Sequence, residues 1–185
     1  MEFLYELSGQ GWASGYIAIN DHEKVHFTCS YTSEGISELL FRLYQLAANV
    51  PFYEMDPNPM FWDEEPDGTC WTLKRIGKND LLIEIKHSQE NPEETKTLVN
   101  EQINFWEFVS IVMKQADILL QRQGFIGYVE AWGSEFPLSS YLRLKSLMED
   151  DEILLKESEN HHVQTNDMSD LQRELTWLHA LTKNE

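Results

Sequence analysis

The chain has 185 residues, of which 42% are hydrophobic and 12% aromatic, so it can bury the core of one sizeable domain. Its 32 acidic and 14 basic residues give a formal net charge of -18 at pH 7. This charge repels the phosphates of nucleic acids and anionic lipid surfaces, which argues against both as direct ligands. A basic protein surface is the partner class that the charge favours, and an acidic coat that only keeps the protein in solution is the alternative.

The sequence contains no pattern typical of a targeting segment, a metal site or a cofactor site. No stretch approaches the roughly 18 apolar residues of a membrane helix, and residues 1–6 lack the basic start of a signal peptide, so we expect a cytoplasmic protein. Cys29 and Cys70 have no second Cys or His at metal-ligand spacing. No glycine-rich loop opens a helix to bind phosphates. We therefore predict no metal site and no cofactor.

The first part of the chain predicts a β-hairpin followed by a helix. Residues 11–19 and 24–31 are rich in aromatic and β-branched residues, and a polar turn lies between them. Apolar residues then recur at helical spacing over residues 36–47. Ser33 is the predicted N-cap of this helix, and Pro51 prevents its continuation.

The middle of the chain repeats this order of elements. Residues 51–67 contain four prolines and six acidic residues, which indicates a loop. A helical pattern of apolar residues begins at Phe105 and ends before Gly124. The similar order of residues 11–48 and 69–120 raises an internal repeat as one hypothesis. Three strands are predicted between the loop and this helix, at residues 69–76, 81–87 and 95–103.

The last part of the chain alternates between helical and polar segments. Residues 137–148 predict a short helix, and residues 157–166 a polar linker. A capping box then starts a terminal helix, on which Leu171, Leu175 and Leu178 form an apolar stripe. Such a stripe is costly to expose. We expect it to be covered, either by the same domain or by a second copy of the chain in a homo-oligomer.

Together these elements predict an α+β fold. Antiparallel hairpins build a sheet, and amphipathic helices pack on one of its faces. Residues 1–148 are expected to form this α+β domain, and residues 149–185 an acidic linker and the C-terminal helix.

The densest group of chemically active residues is Trp62, Asp63, Glu64, Glu65 and Asp67. Most of the six tryptophans are expected in the core or at its edge. The alternative is an exposed Trp62, which with the carboxylates would bind a basic partner, because aromatic residues often anchor interfaces. Two alternatives stay open: a solvated turn, and a small metal-dependent hydrolase that uses Asp63, Glu64 and Glu65. The spacing matches no calcium loop. We expect these three consecutive carboxylates to be mostly exposed to solvent just before a strand, because they cannot all be buried without partners.

The sequence from Trp62 to Leu73, W-D-E-E-P-D-G-T-C-W-T-L, resembles that of a family of small acidic bacterial proteins of unknown function. The W-x-x-E-P segment and the helix around Leu39 and Leu40 carry the resemblance, which covers residues 12–147. It implies a bacterial protein and supplies no catalytic residues. With the charge, it favours an intracellular protein-binding domain, such as an immunity or antitoxin-type protein that masks a basic partner.

Overall fold

The structure is a computed structural model that describes residues 1–20, 23–48, 59–88, 95–149, 154–155 and 168–182. The described residues form two antiparallel sheets, a two-stranded pair and four helices. This arrangement confirms the predicted α+β fold with a C-terminal helix, although the strands fall into two main sheets. The predicted linker at residues 157–166 lies outside the described residues.

Three strands form the first sheet in the order β1-β2-β3. β1 is absent from the predicted strands, although Phe3 and Tyr5 alternate with more exposed residues, as a half-buried strand requires. The three strands are β1 (Glu2–Gly9), β2 (Trp12–Ala18) and β3 (Val25–Ser30).

Four strands form the second sheet in the order β4-β5-β6-β7. β4 lies in the segment predicted as a loop, and that part of the prediction is wrong. Met60 and Trp62 of β4 are buried and pair with Trp71 and Thr69 of β5. Nearby prolines and carboxylates obscured a strand of only four residues. The strands are β4 (Met60–Asp63), β5 (Gly68–Arg75), β6 (Asp80–Ser88) and β7 (Lys96–Asn104).

Four helices complete the described structure. Gly124 interrupts α2 with φ 65 and ψ 174, so its first segment ends where the sequence predicted. None of the helices in the described ranges is long and apolar enough to cross a membrane. The helices are α1 (Ile36–Ala47), α2 (Phe105–Trp132), α3 (Leu138–Met148) and α4 (Leu171–Ala180).

The N-terminus of α1 begins after Gly35, two residues beyond the predicted N-cap Ser33. Gly35 has φ 50, a conformation that favours glycine. A Cβ atom there would also lie 2.6 Å from the hydroxyl oxygen of buried Tyr5. The capping prediction was wrong because Gly35, which leaves room for the Tyr5 hydroxyl, precedes the first residue of the helix. The hydroxyl of Ser33 instead donates to the carbonyl of Ser30 at 2.9 Å.

Aromatic rings join the two sheets into one core. The ring centroids of Trp62 and Trp71 lie 4.4 Å apart, and Phe27 of β3 lies 4.8 Å from Trp62. On the same face of the first sheet, Phe3 of β1 stacks on Phe27 at 6.0 Å and makes an edge contact with Phe108 of α2 at 6.4 Å. These contacts place the core between both sheets and α2.

The C-terminus of α1 is held by Arg75 of β5. Its guanidinium donates hydrogen bonds to the carbonyls of Leu46 at 2.5 Å and Ala47 at 3.4 Å. The same group lies 4.4 Å from the ring centroid of Phe105, the first residue of α2. Arg75 therefore connects the end of α1, the second sheet and the start of α2.

α4 docks on the domain through Trp177. Only 4% of this side chain is exposed, and its indole N–H donates to Glu149 Oε2 at 3.0 Å. The guanidinium of Arg173 donates to the same oxygen at 3.3 Å. Leu178 and Leu181 are partly buried against the core. Glu149 lies directly after α3, so α4 is fixed near the end of that helix.

The predicted leucine stripe is not the face by which α4 docks. Leu171 and Leu175 are 63% and 38% exposed, and only Leu178 of the stripe packs against the core. The expectation that the domain itself covers the whole stripe is wrong, because Trp177 turns an adjacent face of the helix inward. A homo-oligomer through Leu171, Leu175 and Leu178 stays a prediction.

Candidate binding surface

The turn between β4 and β5 carries the carboxylates that the sequence singled out. Within it, the backbone N–H of Glu64 donates to the carbonyl of Asp67 at 2.8 Å. The backbone N–H of Glu65 donates to the carboxylate of Asp63 at 3.1 Å. These local bonds close the turn and hold its acidic residues at the end of the second sheet.

Trp62 does not belong to the surface of this turn. Its side chain is 0% exposed, so the alternative of an exposed Trp62 anchor is wrong, and Trp62 is one of the core tryptophans. Alternation along β4 gives the reason: Met60 and Trp62 face the core, whereas Phe61 and Asp63 face outward. Phe61, which is 44% exposed, is the aromatic residue that β4 presents to solvent. The sequence predicted the aromatic-acidic character of the segment and assigned it to the wrong aromatic residue.

The three consecutive carboxylates lie in different environments. Glu65 is exposed, as expected. Asp63 is partly buried and accepts a hydrogen bond from the Thr32 hydroxyl at 2.7 Å. Glu64 is also partly buried, and its Oε1 atom has no hydrogen-bond partner among the described residues. None of the three forms an ion pair within the described part of the chain.

Glu64 lies against both sheets. Burial raises the pKa of its carboxyl group, while hydrogen bonds from the Thr69 hydroxyl and the Thr28 backbone N–H lower it less. The neighbouring His87 also lowers this pKa, and Asp67 raises it. The protonated form of Glu64 is therefore more favoured in the fold than that of an ordinary glutamate.

The start of α1 adds carboxylates that sequence reasoning did not connect with the turn. The backbone N–H of Asp63 donates to the Ser33 hydroxyl at 3.2 Å, across 30 positions of sequence. Together with the bond between Thr32 and Asp63, this contact places the β3–α1 loop beside the turn. Glu34 and Glu38 follow directly in that loop and helix. Only tertiary packing brings the two segments together, so no local pattern in the sequence indicates it.

The buried thiol of Cys29 lies close to carboxylates from both segments. Its pKa is raised to about 12, first by burial and then by Glu64, Asp63 and Glu38, against a hydrogen bond with the Ser33 hydroxyl that lowers it. Carboxylates from the start of α1 and from the β4–β5 turn therefore both act on the pKa of this one buried thiol. We call the combined surface the acidic patch; its carboxylates are Glu34, Glu38, Asp63, Glu64, Glu65 and Asp67.

Few basic groups neutralise the acidic patch. Arg42 lies 3.5 Å from Glu38, one turn along α1, and His87 lies 3.7 Å from Asp67. Within the described ranges, no other Lys, Arg or His forms an ion pair with the patch. The surface therefore keeps a strong negative charge that is available to a partner.

The carboxylates of the patch are not arranged as metal ligands. In the described part of the chain, no group of three or more His, Cys, Asp or Glu side chains could hold a metal ion. Asp63 bonds to Thr32, Glu64 lies against β3 and β5, and Glu65 is exposed. The alternative of a metal-dependent hydrolase based on these three residues gains no support from their geometry.

A separate groove of about 600 Å³ opens between the β2–β3 hairpin and β7. Apolar residues such as Ile17, Ile19 and Val99 line it, together with Lys24 and Lys96. It shares no residue with the acidic patch.

Comparisons of the chain with models of protein families, with curated proteins and with solved structures find no match.

Proposed function

We propose that the chain is a protein-binding domain that holds a basic surface of a partner protein against the acidic patch. The observation that carries this proposal is the hydrogen-bonded contact between two distant segments that together carry six carboxylates, with Arg42 and His87 as their basic neighbours in the described ranges. Clustered charge of one sign steers an oppositely charged partner and increases its association rate. The net charge of -18 adds to this attraction.

Hydrogen bonds support the proposal by ordering the patch before any partner arrives. Thr32 and Ser33 fix Asp63, and Asp63 in turn fixes the backbone of Glu65. A surface that is already ordered loses less conformational entropy on binding. An intracellular protein of the immunity or antitoxin type, which masks the basic surface of its partner, would use such a surface.

Neutralising the patch is expected to weaken the binding of a basic probe. The triple variant Glu34→Gln, Glu65→Gln and Asp67→Asn removes three carboxylates without adding bulk. We expect its affinity for an oligoarginine peptide to fall about tenfold, because several favourable charge contacts are lost together. Isothermal titration calorimetry at physiological ionic strength measures the change.

The matched control removes the same amount of charge elsewhere. Glu23, Glu130 and Glu135 are exposed and lie outside the acidic patch. Their replacement by glutamine is expected to change the affinity by less than about twofold, the effect of screened, distant charge. Equal losses in the two triple variants would show that the peptide responds to net charge alone, and the proposal would then be wrong.

A further inference from the structure

Phe61 places an exposed aromatic ring at the edge of the acidic patch. β4 directs Phe61 and Asp63 to the same outward face. The Phe61 ring extends over Gly68, since a Cβ atom on Gly68 would lie 2.5 Å from its Cζ atom. Gly68 pairs with Asp63 and directly follows Asp67. The ring therefore lies beside the end of the acidic turn, with 44% of its residue surface exposed.

Lysine and arginine would interact with this surface in different ways. An ammonium group is a compact, strongly hydrated charge that gains mainly from the carboxylates. A guanidinium group is planar, so it can donate two parallel hydrogen bonds to a carboxylate and also stack on an aromatic face. Glu65 is exposed and has no hydrogen bond or ion pair through its carboxylate among the described residues, which leaves both oxygens available.

We infer that the acidic patch selects arginine over lysine side chains, with the Phe61 ring stacking on a guanidinium group that the turn carboxylates bind. The inference rests on the proposed function, because it specifies the chemistry of the basic partner at the same surface. Negative charge alone attracts either cation, whereas the aromatic ring adds a contact that favours the planar one. The partner is thus a protein segment that presents arginine.

Two peptides of equal length and charge, oligoarginine and oligolysine, test the inference. The unmodified protein is expected to bind oligoarginine at least about threefold more tightly, the scale of one exposed cation–π contact. Phe61→Leu keeps an apolar side chain but removes the ring. It should reduce the ratio of the two affinities while leaving the affinity for oligolysine unchanged. Phe61→Tyr, which restores an aromatic ring, should restore the ratio.

Phe125→Leu is the control, because Phe125 is also a phenylalanine of similar exposure, 39%, and lies outside the acidic patch. This variant should keep the ratio of the unmodified protein. Equal affinities for the two peptides, or a ratio that Phe61→Leu leaves unchanged, would overturn the inference and leave the proposed function standing. If the unmodified protein binds neither peptide, the proposed function fails, and the inference fails with it.

Discussion

Glu64 makes the stability of the fold depend on pH. Burial raises the pKa of its carboxyl group above the value in the unfolded chain. The stabilising contribution of such a group is complete below the unfolded pKa and is lost as the pH rises through the folded pKa. Acidification from neutral pH therefore increases the contribution of Glu64 to stability. Glu38 acts in the same direction, because burial raises its pKa more than Arg42 lowers it.

Glu64→Gln is expected to flatten this pH dependence. The amide has similar size and no charge to bury, so the free energy of unfolding should change less between neutral pH and the range in which glutamate titrates. Urea denaturation at a series of pH values measures the effect. Glu65→Gln removes an exposed carboxylate from the same turn and is the control. A flattening of equal size in both variants would mean that general charge repulsion, and not the buried position of Glu64, causes the dependence.

Arg75 is expected to contribute strongly to stability, although it lies near the surface. Arg75→Ala leaves the carbonyls of Leu46 and Ala47 without their donor and removes the cation from the Phe105 ring. We expect the free energy of unfolding to fall by about 2 kcal/mol. Arg122→Ala, which breaks an exposed ion pair with Glu6, should cost less than about 1 kcal/mol. Similar losses in the two variants, measured by urea denaturation, would argue against a connecting role for Arg75.

At the scale of whole elements, Trp177 is the only fully buried side chain of α4, and Leu178 packs beside it against the core. Trp177→Ala should lower the free energy of unfolding by about 3 kcal/mol, as for other buried aromatic residues. Leu171→Ala, on the exposed face, should change it by less than about 0.5 kcal/mol. Thermal denaturation and light scattering together measure stability and mass. A larger effect of Leu171→Ala, or a change of mass in that variant, would favour the homo-oligomer over docking on the same domain.

The elements that the sequence predicted correctly have regular apolar patterns. β7 and α3 follow the expected positions closely, and the apolar face of α2 identified its first segment. β4 was missed because four residues contain too few repeats of the alternating pattern to outweigh the surrounding prolines. The orientation of Trp62 follows from the register of that strand, and a shift of one residue would exchange Trp62 and Phe61 between core and surface.

The acidic patch could be predicted only in part. The turn carboxylates are adjacent in sequence, so their clustering is visible there. Glu34 and Glu38 join them because Ser33 bonds to Asp63, a contact between distant segments that depends on how β3, α1 and β4 pack. Local propensity contains no information about such a contact. The exposure of Phe61 likewise depends on the second sheet being formed.

At the scale of the whole molecule, the two halves share an order of elements but differ in size. A three-stranded antiparallel sheet precedes α1, and a four-stranded antiparallel sheet precedes α2. The internal repeat stays a hypothesis: both halves have strands followed by a helix, but they differ in the number of strands. The acidic patch lies where the loop between β3 and α1 contacts the turn between β4 and β5, so its assembly requires both halves of the chain.

The closeness of Trp62 and Trp71 has an optical consequence. Their ring centroids are 4.4 Å apart with an angle of 31° between the ring planes. Electronic transitions of two indole chromophores at this separation couple, which produces a pair of circular dichroism bands of opposite sign. Trp177 stands apart on α4, so detachment of that helix would leave the pair of bands intact, whereas separation of β4 from β5 would abolish it. The protein thus contains a natural chromophore pair that reports on the pairing of β4, the strand that carries Phe61, with β5.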